Sequence, residues 1–256
     1  MLLAIDVGNS HIVIGVYEGR EIVHHWRINT NRNSTGDEIA ALFQSLFTME
    51  RLSFSEISDV IIASVVPPMQ SAWLTFTKKY LDKIPLFVDE TIVSGIKILT
   101  DNPSEVGADR IVNSVAAFNK YKTSLIVVDF GTATTFDCVS KNGDYIGGII
   151  SPGLAISLDA LGKRTSKLPR IDISTPPPKV IGTSTVSAMK SGILYGYGSL
   201  VEGLIQLIKN EFTPEIPKVV STGGMAGIIA PYAKSIETVE PLLTLDGLRI
   251  LHERNR

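Results

Sequence analysis

The chain opens with an apolar run, residues 2 to 5, that stops at Asp6 and Gly8; apolar positions resume over residues 12 to 16, which predicts two strands joined by a tight turn. Residues 20 to 27 supply a third strand. Thr35 and Glu38 have the spacing of a capping box, and Ile39, Leu42, Phe43, Leu46 and Phe47 then share one face of a helix. The apolar run over residues 60 to 66 is a buried strand stopped by Pro67 and Pro68; a helix over about 70 to 81 and a short strand at 86 to 88 follow. The order is βββαβαβ.

The same signals return half a chain later. Strands are predicted near 124 to 129, 134 to 140 and 144 to 150, then a helical region over 184 to 211 and a strand at 218 to 221. A Gly-rich turn at 222 to 227 leads into a helix, and a short strand at 236 to 239 precedes a last helix over about 241 to 252. Three strands followed by alternating helix and strand, twice over, predict an α/β protein of two duplicated βββαβαβ domains with a central cleft. This order resembles the actin-like (ribonuclease H-like) architecture of ATPases and sugar kinases. The domains are expected at residues 1–117 and 118–256, with the boundary near 115 to 123, and the Pro-rich stretch 174 to 178 reads as a stiff connector. Lys163, Arg164, Lys167 and Arg170 read as a solvated loop, because no aromatic residues are interleaved with them as single-stranded nucleic acid would require.

The duplication extends to chemistry. Asp6, Val7, Gly8, Asn9 and Ser10 close the first strand, and Asp129, Phe130, Gly131, Thr132 and Ala133 match them in outline. In each turn the Gly lets backbone amides approach an anion, Asn, Ser or Thr donates hydrogen bonds, and the Asp can hold a cation that offsets phosphate charge. Two such turns facing each other across a cleft suit a nucleoside triphosphate. Asp, Gly and Asn also favour ordinary hairpin turns, so either copy alone leaves a purely structural reading open. Gly223 and Gly224 stand where such folds hold adenosine, and read equally as a tight turn.

Composition narrows the partners. A 256-residue chain that is 44% hydrophobic and 20% charged is an ordinary globular protein, and no segment approaches the ~18 apolar residues of a membrane helix. The net charge of −2 offers no general attraction for nucleic acid or an anionic membrane, so small-molecule substrates are expected. The N-terminus lacks a basic leader and reads as a first strand, which makes the cytoplasm the expected compartment. Cys138 is the single cysteine and sits in an apolar strand as a structural thiol; no Cys/His spacing suggests zinc. His11, His24, His25 and His252 read as surface or packing residues, and His11 alone falls in a proposed phosphate turn.

No P-loop is present: around Gly162, Lys163 and Arg164 the leading Gly is replaced by Ser157 and the closing Ser or Thr by Arg164. Phosphate contacts must then come from the twin turns. A phosphoryl transfer further needs a group to deprotonate or orient an acceptor alcohol. Asp109 is the candidate, next to Arg110 in the first turn of a helix that begins after Gly107 and Ala108. A carboxylate there also compensates the helix dipole, so both readings stand at this point.

Gly107 to Arg110, preceded by Asp101, Asn102 and Pro103, together with the two Asp turns, residues 150 to 154 and residues 191 to 197, resemble the type III pantothenate kinases in six ordered blocks. The resemblance implies ATP-dependent phosphorylation of pantothenate to 4′-phosphopantothenate, the first step toward coenzyme A. It implies that Asp6, Val7, Gly8, Asn9, Ser10, His11, Ile12 and Val13 wrap the ATP phosphates, with Asp6 placing Mg²⁺, and that Thr132 also contacts ATP. It places pantothenate against Thr100, Gly107, Ala108, Asp109, Arg110 and Thr185, with Asp109 as the base and Arg110 on polar oxygens. It makes Asp129 the ligand of a monovalent cation, K⁺ or NH₄⁺, and the enzyme a homodimer. The family often has Tyr where this chain has Thr100, and Lys-Asn where it has Thr183 and Ser184. Rival expectations are another kinase or a polyphosphate phosphatase of the same fold, and a non-catalytic nucleotide-binding regulator.

Overall fold

The computed structural model describes residues 1–89 and 91–256. The chain groups into two compact units, one of Met1–Lys97, Asp101–Ala116 and Leu243–Arg256, the other of Ile98–Thr100 and Ala117–Leu242.

In the first unit β1 (Leu2–Val7), β2 (His11–Glu18) and β3 (Glu21–Asn29) form an antiparallel meander. α1 (Gly36–Met49) then crosses to β4 (Asp59–Ser64), parallel to β1, and α2 (Gln70–Tyr80) crosses to β5 (Leu86–Phe87). The sheet order is β3-β2-β1-β4-β5. The capping box predicted from Thr35 and Glu38 is formed: Glu38 N–H donates to Thr35 Oγ1 at 3.2 Å, and Thr35 N–H donates to Glu38 Oε2 at 2.7 Å. Because α1 starts there, Phe43 and Phe47 are buried in one core, where Phe43 meets Trp73 and Phe76 of α2 and Phe47 stacks on Trp26 of β3. Leu3, Ile5, Ile14 and Ile62 complete this core. The Phe43 and Phe76 ring centroids lie 4.7 Å apart, and each buried aromatic contributes on the order of 2 kcal/mol by area.

α3 (Ala108–Tyr121) leads into the second sheet. There β6 (Leu125–Phe130), β7 (Ala133–Val139) and β8 (Tyr145–Pro152) form the second meander, followed by α4 (Leu154–Arg164), α5 (Thr185–Glu211), β9 (Lys218–Thr222), α6 (Ala226–Ile229), β10 (Thr238–Val239) and α7 (Leu243–Arg254). The order β10-β9-β6-β7-β8 repeats the first sheet read from its other edge, so the duplication holds strand by strand. Ile193, Leu194, Val201 and Ile205 of α5 cover Ile126, Val128 and Phe136. α7 packs on β1, β2 and β4 of the first unit.

One element departs from expectation. Lys163 and Arg164 are not in a loop but in the last turn of α4, whose Leu154 is buried and whose Leu158, one turn on, packs on the same core. Gly153 at its start and the basic residues at its end are ordinary helix punctuation, obscured in sequence by the short length of the helix.

Candidate active site

β1 carries Asp6 opposite Val13 of β2 and Ala63 of β4, at the carboxyl end of the parallel pair, where open α/β sheets bind ligands. The chain then turns through Gly8, Asn9 and Ser10, with Gly8 N–H donating to His11 O at 3.0 Å. Asn9, Ser10 and His11 are exposed and Val13 is half-buried, whereas Val7 and Ile12 are buried in the core and offer a ligand only their backbone. Two residues not singled out in the sequence fasten this turn. Thr30 donates from Oγ1 to Gly8 O at 2.6 Å and from its N–H to Ser10 O at 3.0 Å, and the Arg32 guanidinium donates to Asn9 Oδ1 at 2.8 Å. Their signal was positional: the β2–β3 register brings the exit of the third strand beside the first turn. Partial desolvation, then the charge of Arg27, holds His11 below its usual pKa.

Gly107 O accepts from Arg110 N–H at 3.1 Å and from Ile111 N–H at 3.3 Å, so Gly107 starts α3 and places Ala108, Asp109 and Arg110 in its first turn. Asp109 Oδ1 accepts from Arg110 N–H at 2.9 Å. Burial pushes the Asp109 carboxyl above the usual carboxylate range, against the opposing pull of that hydrogen bond and of the Arg110 charge. A carboxylate present only to compensate a helix dipole would be favoured in its charged form. Here the balance runs the other way, so dipole compensation alone does not account for Asp109. A Cβ at position 107 would lie 2.6 Å from Asp109 Oδ1, so the glycine makes room for the carboxylate.

In the second unit Asp129 occupies the place in β6 that Asp6 occupies in β1, opposite Thr135 of β7 and Thr222 of β9. Gly223 follows at φ +92°, and a Cβ there would lie 2.3 Å from Asp129 Oδ1 and 2.6 Å from Phe130 N. The bare Cα of Gly223 lies against the Asp129 carboxylate. Gly224 is exposed and Thr132 is half-buried on the β6–β7 turn. Thr100 Oγ1 is shut off from solvent with no hydrogen-bond partner among the described residues, while the neighbouring Leu99 N–H donates to Tyr145 O at 2.8 Å. Asp137, for which the sequence suggested no role, is fully buried and accepts from the Tyr145 hydroxyl at 2.9 Å. Thr185 opens α5 and lines a cavity of about 540 Å³ with Leu161, Leu168, Met189 and Ile193; Asp129, Thr132 and Gly223 are not part of that lining.

Among the described residues no group of three or more His, Cys, Asp or Glu side chains is arranged to hold a metal ion, and Cys138 is buried and in no disulfide. Asp6 and Asp129 each offer a single carboxylate beside a turn of backbone amides. That donor set fits a cation that arrives with phosphate oxygens of its own, as Mg²⁺ does. No described helix is long and apolar enough to cross a membrane.

Two sheets of identical strand order, each with an Asp and a Gly-containing turn closing its first strand, define the actin-like ATPase and sugar-kinase fold. The solved structures agree. The chain aligns with (R)-2-hydroxyglutaryl-CoA dehydratase component A of Acidaminococcus fermentans at TM-score 0.54 and 15% identity, over 96% of this chain and 94% of that one. It aligns with the inorganic polyphosphate/ATP-glucomannokinase of Arthrobacter sp. strain KM at TM-score 0.52 and 14% identity, over 100% and 99%. At sequence level the likeness is far closer. The type III pantothenate kinase family model matches residues 2–207. The type III pantothenate kinases of Geobacter sp. (strain M21) and Geobacter sulfurreducens are 50% and 51% identical over 256 residues, with all of both chains covered in each case. The chain belongs to the type III pantothenate kinases.

Proposed function

We infer that this protein transfers the γ-phosphoryl group of ATP to pantothenate, giving 4′-phosphopantothenate and ADP at the first step of coenzyme A biosynthesis. Membership of the family supports the reaction. The observation that carries its chemistry is Asp109, a half-buried carboxylate with a raised pKa at the start of α3, in a space that Gly107 leaves open.

Asp109 accepts the proton of the primary alcohol while the alcohol oxygen bonds to the γ-phosphorus and the β–γ bridging bond breaks, its electron pair leaving on ADP. Only hydrogen-bond reach is required, because the proton of an alcohol leaves late. Arg110, Thr100, Gly107, Ala108 and Thr185 bind pantothenate, whose carboxylate, amide and hydroxyls match guanidinium, hydroxyl and backbone donors. Asp6 and the turn through Val13, with Thr132, Gly223 and Gly224, bind ATP. Asp6 would hold, from the protein side, the Mg²⁺ that comes with ATP, which would offset phosphate charge. Asp129 would hold K⁺ or NH₄⁺, its carboxylate lying at the end of β6 with the bare Cα of Gly223 against it. The enzyme works in the cytoplasm as a homodimer. β8 is an edge strand with Ile146 and Ile150 exposed, an apolar face that a second copy would cover.

A coupled ADP-release assay across pantothenate and common hexoses tests the reading. Turnover is expected with pantothenate alone, and turnover confined to a hexose would overturn it.

A further inference from the structure

The first phosphate turn lacks the lysine that a P-loop would bring, yet the sheet beside it carries a cation. Val13 of β2 stands opposite both Asp6 of β1 and Arg27 of β3. Residues directly opposite in a sheet share a face, so Asp6, Val13 and Arg27 form one row on the face that bears the proposed phosphate site. Arg27 is two strand spacings, about 10 Å, from Asp6 across that row. His11, two residues before Val13 and so on the same face, lies near enough to Arg27 to feel its charge.

The surroundings leave this guanidinium available. Arg27 is exposed and has no hydrogen-bond or ion-pair partner among the described residues. Arg32, the other arginine beside the turn, is hydrogen-bonded to Asn9 at 2.8 Å and so braces the loop. An isolated cation on the face of a metal-placing carboxylate, at the rim of a turn of backbone donors, is arranged for a polyanion. We propose that Arg27 is a phosphate-binding residue that supplies a fixed positive charge to the β- and γ-phosphates of the nucleotide, in the place of a P-loop lysine. This rests on reading the first turn as the ATP site.

The test is calorimetric titration of the full-length protein, with Mg²⁺ present, by ATP and by adenosine, for wild type, Arg27→Ala and Arg27→Lys at two ionic strengths. Loss of one charge-assisted contact predicts that Arg27→Ala weakens ATP by roughly tenfold or more, leaves adenosine within about twofold and flattens the salt dependence. Arg27→Lys should recover part of the loss. Because position 27 is exposed, the variant's melting temperature should match wild type, and its pantothenate KM at saturating ATP should be unchanged. ATP affinity unchanged in Arg27→Ala, or an equal loss for ATP and adenosine, would overturn the assignment. A wild-type protein that binds no ATP would instead defeat the reading of the turn and the assignment with it.

Discussion

Gly107→Ala isolates the position of the proposed base from its chemistry. The backbone at 107 is not in the left-handed region, so alanine is allowed there, and the carbonyl that accepts from Arg110 and Ile111 is untouched. The new Cβ would, however, lie 2.6 Å from Asp109 Oδ1, whereas ordinary van der Waals contact begins at 3.4 Å. The carboxylate must retreat by about 0.8 Å or change rotamer. A misplacement near 1 Å in a reacting group costs about 10²-fold in rate. The displaced group is the end of a flexible side chain, so the stability cost should stay under about 1 kcal/mol. Steady-state kinetics should therefore show kcat down by about 10²-fold, with ATP affinity and melting temperature close to wild type. Wild-type kcat in Gly107→Ala would refute the placement of Asp109 as the base. A collapsed melting temperature would show that Gly107 serves the fold and not the carboxylate.

Asp109→Asn should cost ~10²-fold or more in kcat while leaving ATP binding intact, measured by turnover and by titration calorimetry. The same variant should be more thermostable at neutral pH. The folded state raises the Asp109 pKa, so the stability linked to its protonated form is present below the unfolded carboxylate pKa and lost as pH rises through the folded one. The gain in Tm should shrink as pH falls, and a variant less stable than wild type at neutral pH would contradict the pKa direction. For the same reason the acid limb of the kcat profile should lie above the usual carboxylate range and disappear in Asp109→Asn. Gly223→Ala meets both a positive φ and the Phe130 backbone, and should destabilise by more than about 1 kcal/mol in denaturant titrations while abolishing any response to K⁺. Replacing K⁺ by Na⁺ should depress wild-type turnover if Asp129 holds the monovalent ion, and an unchanged rate removes that role.

Much of the fold was legible because its signals are local. The capping box of Thr35 and Glu38, the apolar runs ending at Asp6 and Asp129 and the proline stop after β4 each act within a few residues, and the structure forms them where expected. α4 is hard to see in the sequence because an 11-residue helix with one buried side chain scarcely separates from a basic loop. The amphipathic pattern of α7 states that one face is buried but not which sheet takes it, and the helix packs on the first unit. In the site, the aspartates and glycines were visible as residue types. The relations between them were not: Gly107 against Asp109 and Gly223 against Asp129 are close approaches of atoms, which spacing does not encode. Thr30, Arg27 and Arg32 gain meaning only from the β2–β3 register, which sets an otherwise unremarked strand exit beside the turn that follows Asp6.

The chain phosphorylates the primary alcohol of pantothenate with ATP. Phosphorus NMR of a reaction of the purified protein with MgATP, K⁺ and pantothenate tests it most directly. One new phosphate monoester resonance on a primary carbon is expected, formed in step with ADP and absent without pantothenate. Free phosphate released in place of that monoester, or no pantothenate-dependent product, would contradict it.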